Sequence, residues 1–309
     1  KIRTVLNGNY NYSYADGDQW FQWSPDSKWL LVKYLGYKRW STDIALISTQ
    51  PNGIITNLTK SGYSDFMPKW ALNGNAMIWI SDRYGMRSHG SWGTELDVFA
   101  MFFNDSTYNR FIMSKEEAEL QKEFDKKMAE KDSLNNINKT KNTTYTIKID
   151  TNNLENRKLR LTINSSFISD AILSPDGENL YYLAQFEKGY DLWIKKIRDN
   201  ETKLLIKFDN YGGNLQIDST GKFLYLSSGD KFYQINTQNW EKKEIQYNAE
   251  ISVNKPLERE YMFNHVWNQV KNKFYDTNLN NVDWNYYKTT YEKFLPHIDN
   301  NFDFAELLS

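Results

Sequence analysis

The sequence predicts a mainly β fold: a partial β-propeller of about four four-stranded blades, followed by a short α-helical subdomain. Three observations predict it. One turn-and-strand pattern recurs through the first 250 residues, aromatic residues make up 16% of the chain, and the hydrophobic period changes from two to 3.6 after residue 254. The expected division is 1–254 for the propeller and 255–309 for the helices, with a helical and polar insertion at about 114–143.

Four segments share the repeat. Trp23-Ser24-Pro25-Asp26-Ser27-Lys28 precedes the apolar run 29–32, and Trp70-Ala71-Leu72-Asn73-Gly74-Asn75 precedes 76–80. Leu173-Ser174-Pro175-Asp176-Gly177-Glu178 precedes 179–183, and Ile217-Asp218-Ser219-Thr220-Gly221-Lys222 precedes 223–226. Pro presets φ for a turn, Asp or Asn caps it, and Gly accepts positive φ, so flanking runs pair as antiparallel hairpins. A third strand follows, opened by Asp43, Asp97 or Asp191, with Lys231 in that place in the last repeat. A fourth strand is expected at 54–59, 157–162 and 202–206. Four strands per repeat of this length is the size of a propeller blade. A β-sandwich of similar hairpins is the competing arrangement, but sandwiches rarely repeat one turn at a fixed period. Residues 1–18 read as the tail of an earlier blade, and further blades are expected upstream.

The insertion begins at Ser114, with Glu117 at capping-box spacing. Lys115 to Asp132 reads as a solvated helix with Leu120, Phe124 and Met128 on a narrow apolar stripe. Residues 133–144 read as a polar loop, and 144–149 as a resumed strand. From Pro256, Phe263, Val266, Trp267, Val270 and Phe274 fall on one helical face. Asp283 is expected to cap a second helix carrying Trp284, Tyr287 and Tyr291, which Pro296 ends. Asp303 and Glu306 open a third. These helices bear enough aromatic surface to require packing on the propeller or on a further domain.

The net charge of −1 gives no global field for nucleic acid, and no apolar run reaches membrane-spanning length. With no cysteine, thiolate metal sites and Cys nucleophiles are excluded. There is no Gly-x-Ser-x-Gly elbow, no His-Glu-x-x-His and no phosphate-binding glycine loop, and Asp16-Gly17-Asp18 lacks the rest of a calcium loop. No cofactor or metal is expected. Of three histidines, His265 lies beside the apolar face of a helix and His297 at a helix end. His89 is surrounded by Arg83, Arg87 and Trp92. Those four residues form the candidate binding loop. One reading is a basic, aromatic loop for a peptide carboxylate, which Arg forks suit. The other is a structural loop whose Arg residues pair with acids between blades.

The helical segment Val266-Trp267-Asn268-Gln269-Val270 to Lys273-Phe274-Tyr275-Asp276, with Val282-Asp283-Trp284 and Tyr291 to Pro296, resembles the start of the helical core subdomain of tricorn proteases. Ser81 to Gly93 resembles a loop of their bacterial homologues, and the Ser-Pro-Asp turns resemble TolB-type repeats. The resemblance implies the later part of a second propeller and the opening of a serine peptidase core. It implies a PDZ domain, a second core subdomain, and the catalytic His and Ser beyond Ser309, so that no catalytic residue lies in this chain. It implies a segment, inactive alone, that guides oligopeptides to an active site, with the remaining blades, the core and further copies of the chain as partners. The compartment stays open between cytoplasm and periplasm. A non-enzymatic TolB-like scaffold that binds protein or peptide partners is the alternative function. A prolyl-oligopeptidase-like enzyme fits the helical pattern poorly.

Overall fold

The computed structural model describes residues 3–11, 19–36, 41–50, 53–88, 93–135 and 146–309, the side chains of 132–135 excepted. The chain divides into two compact units, Lys1–Gln246 and Tyr247–Ser309.

The first unit is four antiparallel four-stranded blades in a propeller arrangement. Blade one contains β1 (Phe21–Trp23), β2 (Trp29–Tyr34), β3 (Asp43–Ser48) and β4 (Ile55–Asn57). Blade two contains β5 (Asp65–Ala71), β6 (Ala76–Ser81), β7 (Asp97–Phe102) and β8 (Lys158–Arg160). Blade three contains β9 (Phe167–Leu173), β10 (Asn179–Gln185), β11 (Tyr190–Lys196) and β12 (Glu201–Asn210). Blade four contains β13 (Asn214–Ile217), β14 (Phe223–Ser228), β15 (Lys231–Asn236) and β16 (Lys242–Ile245). The first strands of successive blades touch, β1 with β5, β5 with β9 and β9 with β13, so they form the inner wall.

Each middle blade is covered on both faces, which is why its central strands read as unbroken apolar runs. Side chains alternate across a strand, so β6 serves two interfaces. Met77 and Trp79 pack with Leu31, Ile44 and Leu46 of blade one. Ile78 and Ile80 pack with Ile168, Leu180 and Tyr182 of blade three. Tyr181, Leu183, Leu192 and Ile194 then meet Leu215, Leu224 and Ile235 of blade four.

The repeated turns lie at one end and pack on one another. Ser24 Oγ donates to Asp26 and accepts from the amides of Lys28 and Trp29. Ser174 and Asp176 repeat this in blade three. In blade four Asp218 itself accepts from Phe223 N–H. Blade two departs: a 3-10 turn, Leu72–Gly74, with Asn73 at φ 54° takes the place of the proline turn. The glycines are also contact points. A Cβ on Gly74 would lie 3.3 Å from Pro25 Cδ and 2.2 Å from Ile147 Cδ1. One on Gly177 would lie 3.0 Å from Leu72 Cδ2, and one on Gly221 3.3 Å from Pro175 Cδ. The second residue of each turn therefore sits against the glycine of the next.

At the opposite end, the Asp that opens a third strand ties its blade shut. Asp43 accepts from Asn57 and Thr59, and Thr59 Oγ1 in turn accepts from Ile44 N–H. Asp97 accepts from Thr162 Oγ1 at 2.6 Å, and that hydroxyl accepts from Val98 N–H. Asp191 accepts from the amides of Phe208 and Asp209 instead.

The insertion begins with a helix that the sequence reading does not include, α1 (Asp105–Phe111), capped by Asn104. α2 (Lys115–Asn135) follows, with the Ser114–Glu117 capping box closed in both directions. Leu120, Phe124 and Met128 are exposed along it. Residues 146–150 do not form the expected strand: Ile147 N–H donates to Asp26 and Asp150 N–H to Phe103 C=O, so the amides find turn partners rather than a ladder. Residues 144 and 145 lie outside the described residues.

The second unit holds α3 (Lys255–Lys273), α4 (Trp284–Glu292) and α5 (Asn301–Leu308). Asn254 and Asp283 cap the first two. Asn300, not Asp303, caps the third, accepting from Phe302 and Asp303 N–H. Of the expected α3 face only Phe263 is buried, and Phe274 is exposed. The helices join through Trp267 and Trp284, each indole donating to the other's carbonyl at 3.1 Å. Arg259, also buried, donates to the carbonyls of Ile298 and Asp299. No described helix is long and apolar enough to cross a membrane.

Candidate functional site

The loop between β6 and β7 projects from the blade end opposite the proline turns, beside the connection from β4 to β5. Residues 86–88 run antiparallel to 93–95, with Glu95 N–H donating to Met86 C=O and Ser88 N–H to Gly93 C=O. Gly85 is obligatory there, because a Cβ would fall 1.7 Å from Glu95 O. The loop base is pinned by Asp82, which is buried and accepts from Ser64 N–H at 2.8 Å.

Three arginines and two tyrosines form a ladder on this base. Arg87 donates to Asp82 Oδ1 at 3.0 Å and lies 5.4 Å from the Tyr63 ring centre. Arg83 lies 5.8 Å from Tyr63 and 5.6 Å from Tyr84. Arg160, from β8, lies 5.2 Å from Tyr84 on its way to Asp97 at 2.8 Å. Tyr84 stacks on Phe99. Guanidinium groups over aromatic faces gain from the ring quadrupole while keeping their donors directed outward.

Two of the four sequence-predicted residues are thus placed, and differently. Arg87 is paired with an acid. Arg83 is half-buried between two rings and has no ion pair among the described residues. His89 and Trp92 lie outside the described residues. The candidate binding residues named from the sequence do not include Tyr63, Tyr84 or Arg160. Tyr84 adjoins Arg83 within the Ser81–Gly93 segment, but Tyr63 comes from the β4–β5 connection and Arg160 from β8, and neither carries a local signal. Elsewhere, His265 stacks with Tyr261 in α3, and His297 ends a 3-10 helix. Among the described residues no three His, Cys, Asp or Glu converge as a metal-binding group.

Fold and order together define a class: a stretch of four β-propeller blades followed in the chain by a helical unit. Residues 255–309 match the tricorn protease C1 domain. Over 93% of its length the chain superposes on the crystal structure of the tricorn protease, with a TM-score of 0.61 and 10% identity, covering 28% of that chain. TolB from Acinetobacter baumannii matches 74% of the chain at 14% identity and a TM-score of 0.45, with 42% of that protein covered. A puromycin-hydrolyzing peptidase of Mycobacterium tuberculosis matches 75% at 11% identity and a TM-score of 0.43, with 30% covered. The chain spans less than half the length of each of these proteins. No curated protein matches it.

Proposed function

We propose that the chain is the non-catalytic, substrate-guiding propeller segment of a tricorn-like serine peptidase that degrades oligopeptides. Its blades hold peptide, and a Ser and His downstream of Ser309 cut it. The observation that carries this reading is the order of parts: a propeller running directly into a tricorn protease C1 match at residues 255–309. Acyl transfer needs a nucleophile, a base within hydrogen-bond reach and an oxyanion hole. The motifs present in the sequence supply none of these as a set.

The test compares residues 1–309 with the protein extended beyond Ser309. The extended protein is expected to hydrolyse oligopeptides and to react with a serine-directed fluorophosphonate, and the segment to do neither. Labelling of a serine within 1–309 contradicts the reading. An extension with no peptidase activity and no reactive serine favours a TolB-like scaffold instead.

A further inference from the structure

We infer that Arg83 is a carboxylate-binding residue, seated on the Tyr63–Tyr84 platform and presented to the carboxylate of a bound peptide. The inference rests on the reading that peptides pass over the propeller.

The ladder divides its cations by what neutralises them. Arg87 is matched by Asp82, and Arg160 by Asp97, whose other partners are Thr162 and Ser165. Both acids are buried, so their charges are committed to those arginines. Glu95, the remaining acid of the loop, accepts from Met86 N–H. Among the described residues, Arg83 alone in the ladder is held only by rings. Its guanidinium donates no hydrogen bond to a described residue, so its planar set of donors stays available for two carboxylate oxygens at once. The rings on either side restrict its side chain before any ligand arrives, which lowers the ordering cost of binding.

The loop's other features suit a chain end. Tyr84 is 56% exposed and Met86 76%, so apolar surface lies next to the free cation. A peptide could lay its last side chain on these while its carboxylate reached Arg83. An acidic side chain within a peptide offers the same chemistry, and the experiment separates the two sources.

Binding to the full chain is measured by fluorescence anisotropy with three labelled alanine peptides: one with a free C-terminal carboxylate, its C-terminal amide, and an amide carrying one internal Glu. The free acid is expected to bind about tenfold more tightly than the plain amide, as for one charge-assisted pair. Arg83→Gln is expected to abolish that preference, and Arg83→Lys to retain part of it, since the charge stays and the fork goes. If the Glu amide matches the free acid and depends on Arg83, the carboxylate is a side chain; if it binds like the plain amide, it is the chain terminus. Circular dichroism monitors folding, and if Arg83→Gln does not fold, Arg83→Lys must show the reduced preference. Equal binding of acid and amide, no binding of any peptide, or a preference that survives Arg83→Gln overturns the inference. Hydrolysis is not read here. Acid preference without peptidase activity in the extended protein sinks the peptidase reading alone, and activity without acid preference sinks this site alone.

Discussion

Lys69 Nζ on β5 lies 2.6 Å from Asp170 Oδ2 on β9, and both side chains are buried at the inner wall. The same ammonium donates to Leu215 C=O on β13, and Asp170 accepts from Leu215 N–H at 2.6 Å. One ion pair thus fastens the inner strands of three blades. Burial pulls the Lys69 ammonium below the usual lysine range, and the adjacent Asp170 charge opposes that.

Removing one partner leaves the other charged and buried. Asp170→Leu and Lys69→Met are each expected to cost about 3–5 kcal/mol in urea unfolding. The double variant is not expected to recover fully, because Leu215 N–H and C=O lose their partners as well. A cost below about 1 kcal/mol for Asp170→Leu contradicts this role.

The turn contacts predict a contrast between two glycines in left-handed backbone. Gly229, at φ 59°, has open space where a Cβ would go, whereas Gly74, at φ 84°, faces Ile147 at 2.2 Å. Gly229→Ala is expected to cost about 1–2 kcal/mol for its backbone alone. Gly74→Ala is expected to add a further 1–3 kcal/mol or so of overpacking. Thermal unfolding of the two variants checks the ordering, and equal costs are inconsistent with the packed turn.

Thr162→Val deletes both a donor to Asp97 and an acceptor for Val98 N–H. It is expected to lower stability by about 2 kcal/mol, since both groups left behind are buried. Thr237, whose hydroxyl donates to the turn carbonyls of Gly221 and Lys222, the latter exposed, is the comparison. Thr237→Val is expected to fall within about 1 kcal/mol of the parent.

Burial pushes the Tyr181 and Tyr182 hydroxyls up to about 12. The folded state therefore keeps these protons where the unfolded chain, with tyrosines near 10, has released them. Stability is fully present below pH 10 and falls as pH rises from there toward 12. Tyr181→Phe with Tyr182→Phe is expected to flatten that fall. Phenolate absorbance against pH in native and unfolded protein checks it, and identical titrations exclude it.

Legibility followed the range of the interactions. The Ser-Pro-Asp turns could be read because Ser24, Asp26 and Lys28 satisfy one another within five residues. The Asp that opens the third strand could be read as a repeat, but not its purpose, since Thr162 lies 65 residues from Asp97. Residues 146–150 read as a strand because β-branched Thr146, Ile147 and Ile149 suit one, while the partners available are Asp26 and Phe103, which no local pattern discloses. α1 gives too little period to read in seven residues, although Asn104 is a sound cap. In the candidate site, the arginines of the Ser81–Gly93 segment are visible in the sequence. That Arg87 is neutralised and Arg83 is not depends on Asp82 and Tyr63, and the latter enters from another loop.

The most direct measurement is the position of a bound peptide. A free-acid oligopeptide with a photoreactive group near its C-terminus, cross-linked to the full chain and mapped by mass spectrometry, is expected to mark the loops bearing Tyr63 and Tyr84. Cross-links confined to the proline-turn end or to α2 contradict a propeller that holds substrate at Arg83.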